Sequence, residues 1–328
     1  MKVLGINTSH NPSICQLTDG KIDFHLDETR VRRDKYFMPR EDNCFFQSID
    51  KLKDKNFDGV IVASYDRRFA NFHTPPHLPG ESQEADKNIM NQLREQLPNC
   101  PFYYNIEHHL YHALAAHTYS KNKESLVIVM DAGGAQMLPT YQETESIYLI
   151  NQNEISTKWK HYSCMRANTQ AEISDSEPIH IKDLEFVDDD VDIRLSSDNS
   201  EGFKFAEMTC DMELPVMSEG LVMGLSAYGH HNLGYVEEEE LLSHADKALR
   251  LQNKSFDNTC DLIEHAITYS DCKNIVLSGG YALNCVNNYR YLDRFPKHNF
   301  FVDPNPSDGG TSTGAAIWLY YYLKAGGF

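Results

Sequence analysis

Two short, strongly apolar segments each run directly into paired glycines. Residues 125–130 (SLVIVM) lead into Asp131-Ala132-Gly133-Gly134, and residues 274–278 (NIVLS) lead into Gly279-Gly280. An unbroken apolar run of five or six residues bounded by turn residues reads as a strand buried on both faces. Glycines at its end let backbone approach a bound group closely, and a helix starting beyond them favours negative charge. The opening of the chain adds strands at 2–7, 13–17 and 22–26, the last two joined by Asp19-Gly20, a strong hairpin signal. Further strands are expected at 59–63, 101–105, 144–150, 155–160 and 299–302. Helices are expected over 43–53, 83–96, 107–120, 213–227, 235–251, 256–269, 280–294 and 311–325. The class is α/β.

With 328 residues, 41% of them hydrophobic, the chain has ample material for a buried core. No run of 18 apolar residues occurs, and the start (MKVLGINTSHN) turns polar too early for a secretion signal, so a cytoplasmic protein without membrane contact is expected. Thirty Lys and Arg against 48 Asp and Glu leave a net charge of −18, which disfavours a broad nucleic-acid surface. The acidic runs 188–192 and 237–240 read as solvated faces or loops. Eight cysteines stand singly with no Cys-x-x-Cys pair, so mostly buried, reduced thiols are expected. Residues 65–80, with Arg67, Arg68, Phe69 and three prolines, read as a substrate-facing flap or a wrapped connection. Residues 165–205 read as an insertion or loop.

The hairpin opening, the Asp-x-Gly-Gly turn and the late Gly-Gly-helix together resemble the nucleotide-facing turns of the actin-like, sugar-kinase-like fold. That fold implies two α/β lobes around a central nucleotide and metal cleft, here 1–122 and 123–328. Walker A and Gly-x-Gly-x-x-Gly patterns are both absent.

Chemistry concentrates in a few places. In Glu107-His108-His109-Leu110-Tyr111-His112-Ala113, helical geometry puts His108 and His112 about 40° apart on one face. Such a pair reaches a single divalent ion, or else belongs to a histidine-rich surface helix. Asp131 ends an apolar strand and needs a partner if buried. Asp308, in Ser307-Asp308-Gly309-Gly310, opens the last helix as a ligand or as a cap. His10, in the first hairpin, is a turn residue or a general base. In Glu28 to Lys35 (ETRVRRDK), Arg30, Arg33 and Lys35 form a phosphate clamp or a solvated basic face.

Taken in order, these blocks resemble the O-carbamoyltransferase family of nodulation-factor and antibiotic-tailoring enzymes, whose amino-terminal domain is related to the tRNA threonylcarbamoyl transferase. The matching blocks are residues 4–10, Glu28 with Arg30, Arg33 and Lys35, then 108–113 with Asp131. Residues 223–229, 279–285 and Asp308-Gly309-Gly310 with 314–316 complete them. The resemblance implies that His108, His112, Asp131 and Asp308 hold a divalent metal, iron(II) first, with zinc or manganese as alternatives. It places His10 and Lys35 at the transfer chemistry, and gives Gly279, Gly280 and Asn284 the adenosine part of an ATP-derived donor. Gly220 is followed by Leu221 where the family has Gly-Lys, which removes a phosphate contact expected of the family. The chain ends at Phe328, where the family's carbamoyl-adenylate-forming domain would begin. A separate protein then supplies the activated group, or carbamoyl phosphate is used directly. The implied activity is carbamoyl transfer to a hydroxyl of a sugar, a natural product or a hydroxymethylated pyrimidine, free or in DNA. Threonylcarbamoyl transfer to tRNA and a non-catalytic nucleotide-binding regulator are the rival readings.

Overall fold

The computed structural model describes residues 1–35, 37, 39, 45–63, 84–105, 107–138, 141–152, 154–164, 184–215, 217–230 and 242–326. Its contacts divide into two compact units. The first contains residues 1–121, 134–139 and 303–328, and the second residues 122–133 and 140–302. In chain order the elements are β1 (Lys2–Asn7), β2 (Ser13–Thr18), β3 (Lys21–Asp27), α1 (Glu28–Arg32), β4 (Gly59–Ala63), α2 (Glu84–Gln96), β5 (Phe102–Asn105) and α3 (His108–Ser120). They continue with β6 (Glu124–Met130), β7 (Gln136–Leu138), β8 (Tyr141–Asn151), β9 (Ile155–Cys164), β10 (Leu184–Asp188), β11 (Val191–Ser196), α4 (Glu201–Asp211) and α5 (Glu219–Leu225). The last are α6 (His244–Ile267), β12 (Asn274–Ser278), α7 (Cys285–Arg294), β13 (Asn299–Val302) and α8 (Thr311–Lys324).

The first unit is built on a sheet of order β3-β2-β1-β4-β5. β1 runs antiparallel to β2 and parallel to β4. Alternation along β1 sends Leu4 and Ile6 into a core with Ile14, Val60, Leu93 and Leu97. Each such buried aliphatic side chain contributes roughly 1.5–3 kcal/mol. Gly5 points the other way, against the backbone of α8 at Ser312. The hairpin at Asp19-Gly20 forms as expected, both residues having positive φ (49° and 78°).

The second unit carries a sheet of order β10-β11-β9-β8-β6-β12-β13. β6 lies between antiparallel β8 and parallel β12. Leu126, Ile128 and Met130 project into a core with Ile147, Phe205, Ile263 and Leu277.

Several expectations are corrected. A division into lobes at 122/123 is replaced by a chain that returns: residues 303–328 belong to the first unit, because α8 packs on β1. Residues 184–196 are a β-hairpin rather than a loop, with Ile193 and Leu195 buried at alternate positions while exposed acids occupy the turn. Helix 43–53 reduces to a 3-10 turn at Ile49–Lys51. The helix expected at 213–227 is shorter, Glu219–Leu225, and is preceded by the unforeseen α4. The pair 235–251 and 256–269 becomes one helix from His244. Cys15, Cys260 and Cys272 are buried, whereas Cys210 and Cys285 are exposed. The segment 65–80, the stretch 165–183 and the run 237–240 lie outside the described residues. No helix among the described residues is long and apolar enough to cross a membrane.

The N-terminus of α6 supplies a pH prediction. Ser243 Oγ accepts from Asp246 N and donates to Asp246 Oδ2 at 2.5 Å, while His230 N donates to Oδ1 at 2.8 Å. Ser243 first, then the His230 amide, hold the carboxyl at about 2 against an ordinary 3.8. The folded state therefore favours the ionised form. The stabilisation is complete above 3.8 and is lost as pH falls through about 2. Urea unfolding at stepped pH should show wild type more stable than Asp246→Asn at pH 6, with the gap closing across that window.

Candidate functional site

Helix α3 is buried almost all round, because Ala113, Ala115 and Ala116 let its neighbours approach closely. His108 and His112 are 1% and 0% exposed, which rules out the surface-helix reading. Their Nε2 atoms face each other at 3.2 Å. Asp308 opens the 3-10 turn before α8 and is 1% exposed. Its Oδ1 lies 3.4 Å from His108 Nε2 and 3.6 Å from His112 Nε2, and makes no hydrogen bond among the described residues. Its Oδ2 accepts from Ser9 Oγ at 2.5 Å and faces His10 Nδ1 at 3.1 Å. The turn is tied down by Ser13 Oγ donating to Gly309 O and Thr311 Oγ1 donating to Asp308 O, both at 2.7 Å.

Burial by itself would raise the Asp308 carboxyl, but the electrostatic pull of the imidazoles packed against it, His10 first and then His108 and His112, holds it well below the usual carboxylate range. Ligand-type atoms of His108, His112 and Asp308 thus lie within 4.8 Å of one another. Two imidazole nitrogens and an ionised carboxylate oxygen, the latter without a hydrogen bond, fit a divalent cation of the iron(II), zinc or manganese type.

In the second unit Asp131 directly follows β6 and is 4% exposed. Its Oδ1 accepts from Ala132 N at 2.8 Å and Gly280 N at 3.3 Å. Gly279 has φ +88°, and a Cβ there would sit 2.2 Å from Met130 O, so only glycine fits. The paired glycines therefore seat Asp131. Asn284 is 1% exposed and caps α7. Its Oδ1 accepts from Asn287 N and Gln252 Nε2, and its Nδ2 donates to Gln252 Oε1. That side chain holds the turn after Gly279-Gly280.

Asp131 also lines a cavity of about 700 Å³ with Glu145, Trp159, His161 and Glu201. Glu145 Oε2 faces His161 Nδ1 at 2.6 Å, and Ser196 Oγ faces Nε2 at 2.7 Å. This has the connectivity of a nucleophile relay, but Ser196 is fully buried, so its hydroxyl ties strands together rather than meeting substrate.

In the basic run, Arg30, Arg33 and Lys35 are exposed, Arg33 and Lys35 lying past the end of α1. Glu28 is fully buried. It pairs with Arg32 at 2.8 Å and accepts from the amides of Gln47 and Ser48, also at 2.8 Å. Sequence reading gave these anchors no role, though a glutamate amid arginines was the available signal. Glu28→Gln is expected to cost about 3 kcal/mol in chemical denaturation, since it leaves Arg32 without its buried partner.

Residues 254–317, which include Gly279, Gly280, Asn284 and Asp308, match the family model described as Carbamoyltransferase N-terminus. Over that segment the chain is similar to carbamoyltransferases. No curated protein matches it. Among solved structures, HypF from T. kodakarensis superposes with a TM-score of 0.58 at 12% identity, covering 99% of this chain and 48% of that chain. The chain thus spans about half the length of HypF. The activator of 2-hydroxyisocaproyl-CoA dehydratase from Clostridium difficile, described with bound ADPNP, gives 0.52 at 11% identity over 99% of this chain and 97% of that one. A ROK family protein from Streptococcus pneumoniae gives 0.50 at 9% identity, covering 99% and 100%. At these identities the likeness is one of fold, and the chain has the actin-like, sugar-kinase-like fold.

Proposed function

We propose that the protein is a metal-dependent O-carbamoyltransferase, moving a carbamoyl group from carbamoyl phosphate or carbamoyl-adenylate to a hydroxyl of a sugar, a natural product or a hydroxymethylated pyrimidine. The observation that carries this reading is the division of labour at Asp308. One oxygen faces the imidazole pair and the other faces His10, inside the segment that matches the carbamoyltransferase family. His108, His112 and Asp308 hold the metal, with Asp131 as the proposed fourth ligand. Bound there, a divalent ion supplies Lewis-acid polarisation of the donor's carbonyl or phosphate, worth several kcal/mol.

His10 is partly exposed, with Nδ1 turned to Asp308, so Nε2 is left to receive the acceptor's proton. The acceptor oxygen bonds to the carbamoyl carbon while its proton passes to His10. The bond to the phosphate oxygen breaks, and its electron pair leaves on the phosphate. Arg33 and Lys35, exposed cations, offset that charge. Backbone at Gly279 and Gly280, with the turn held by Asn284, receives the adenosine of an adenylated donor. The ADPNP bound to the Clostridium difficile activator, a protein of the same fold, is in keeping with this. A separate carbamoyl-adenylate-forming protein is the proposed partner.

The test is incubation with carbamoyl phosphate, ATP, iron(II) and a panel of hydroxyl acceptors, reading a mass gain of one carbamoyl group. His10→Ala should lower kcat by roughly 10²- to 10⁴-fold with metal content unchanged. A full rate in that variant, or no carbamoylated product from either donor, would refute the scheme.

A further inference from the structure

A carboxylate that serves two masters needs its rotation fixed, because the terminal torsion of aspartate is soft and roughly two-fold. A half-turn of Asp308 would exchange the oxygen facing the imidazoles with the one facing His10. The strongest hold on it is Ser9, 8% exposed, whose Oγ lies 2.5 Å from Asp308 Oδ2. Ser9 is itself anchored. Its backbone N–H donates to Asn7 Oδ1 at 3.0 Å, and its Oγ lies 2.7 Å from the same atom. Asn7 is fully buried, and its Nδ2 faces the carbonyls of His10 and Asn11 at 3.2 Å each, so Oδ1 is the accepting end of that amide.

The Ser9 hydroxyl therefore has one proton and two acceptors within reach. The Asp308 carboxyl takes it, since Oδ2 is the nearer acceptor, at 2.5 Å against 2.7 Å, and Asn7 Oδ1 is already served by the Ser9 amide. His10 also faces Oδ2, but from 3.1 Å and with a side chain 29% exposed, which makes it the weaker restraint.

We propose that Ser9 is a positioning residue for Asp308. Its hydroxyl locks Oδ2 so that Oδ1 stays turned to His108 and His112, and divalent-metal affinity at those residues depends on it. The inference rests on the metal-dependent reading above, and it assigns Ser9 no contact with substrate. Partners that orient metal ligands typically change affinity by roughly 10- to 100-fold when removed.

The experiment titrates the full-length wild type, Ser9→Ala and Ser9→Thr with cobalt(II), following its visible ligand-field bands and the binding heat. Ser9→Ala should bind roughly 10- to 100-fold more weakly with altered bands, at an unchanged melting temperature of the metal-free protein. Ser9→Thr, which keeps the hydroxyl, should bind close to wild type. If wild type binds and Ser9→Ala matches it in affinity and spectrum, or if Ser9→Thr falls as far as Ser9→Ala, this inference alone is overturned. A wild type that takes up no cobalt(II) overturns the metal-dependent reading and this inference with it.

Discussion

His112→Ala is expected to abolish carbamoyl transfer and to release the metal. The imidazole is fully buried, 3.2 Å from its partner in α3 and 3.6 Å from Asp308 Oδ1. Nothing else on α3 can replace it, because His109 and His117 leave the helix in other directions. Several kcal/mol of lost Lewis-acid assistance corresponds to roughly 10³-fold or more in rate. Two measurements on the same preparation check it: metal content after loading, and the amount of carbamoylated product. His117→Ala, further along α3, should retain both. Equal turnover by His112→Ala and wild type would remove the metal from the reaction.

Gly314→Ala is expected to be among the most destabilising single changes in the first unit. A Cβ at this position of α8 would stand 1.8 Å from Tyr111 O and 2.6 Å from Tyr111 Cα. The obstacle is backbone on α3 rather than a side chain that can swing aside, so the helices must part. Overpacking of this severity costs about 3 kcal/mol or more. Tyr111 is adjacent to His112, and Asp308 lies six residues before Gly314. Separating the helices should therefore also weaken metal affinity. Thermal melting and cobalt(II) titration of the same variant read the two effects. A melting temperature and affinity equal to those of wild type would show that α3 and α8 yield more easily than close packing allows. Gly314→Ser should behave at least as badly, since it adds the same Cβ.

Much of the fold was legible in the sequence because its strands are short apolar runs with sharp ends. β1, β4, β6 and β12 could be read directly, as could the Asp19-Gly20 hairpin. What escaped was decided by packing. β10 and β11 carry so many acids that the stretch reads as loop, yet Ile193 and Leu195 alternate inward and β11 pairs in parallel with β9. α4 begins Glu201-Gly202, a weak helix start by propensity, and is secured by Ser200 accepting from Phe203 N at 3.0 Å. The return of residues 303–328 to the first unit cannot be read from local pattern, since α8 is apolar on most sides and its partner β1 lies at the other end of the chain.

The candidate site divides in the same way. His108 and His112 announced themselves through helical spacing, and Asp131 through its place at the end of an apolar strand. Ser9 and Gln252 did not, because a serine or a glutamine carries no spacing signal and gains its meaning from what it faces.

By itself the sequence determined the residue types and the local geometry: which segments are strands, where glycine is obligatory, and that two imidazoles share one helix face. Periodicity and turn chemistry act over a few residues and are written in the order of the letters. Only the tertiary structure decided that Asp308, some 200 residues from the histidines, offers one oxygen to them and the other to Ser9 and His10. A buried carboxylate takes its orientation from whichever donors the fold packs around it, and chain order does not record those neighbours.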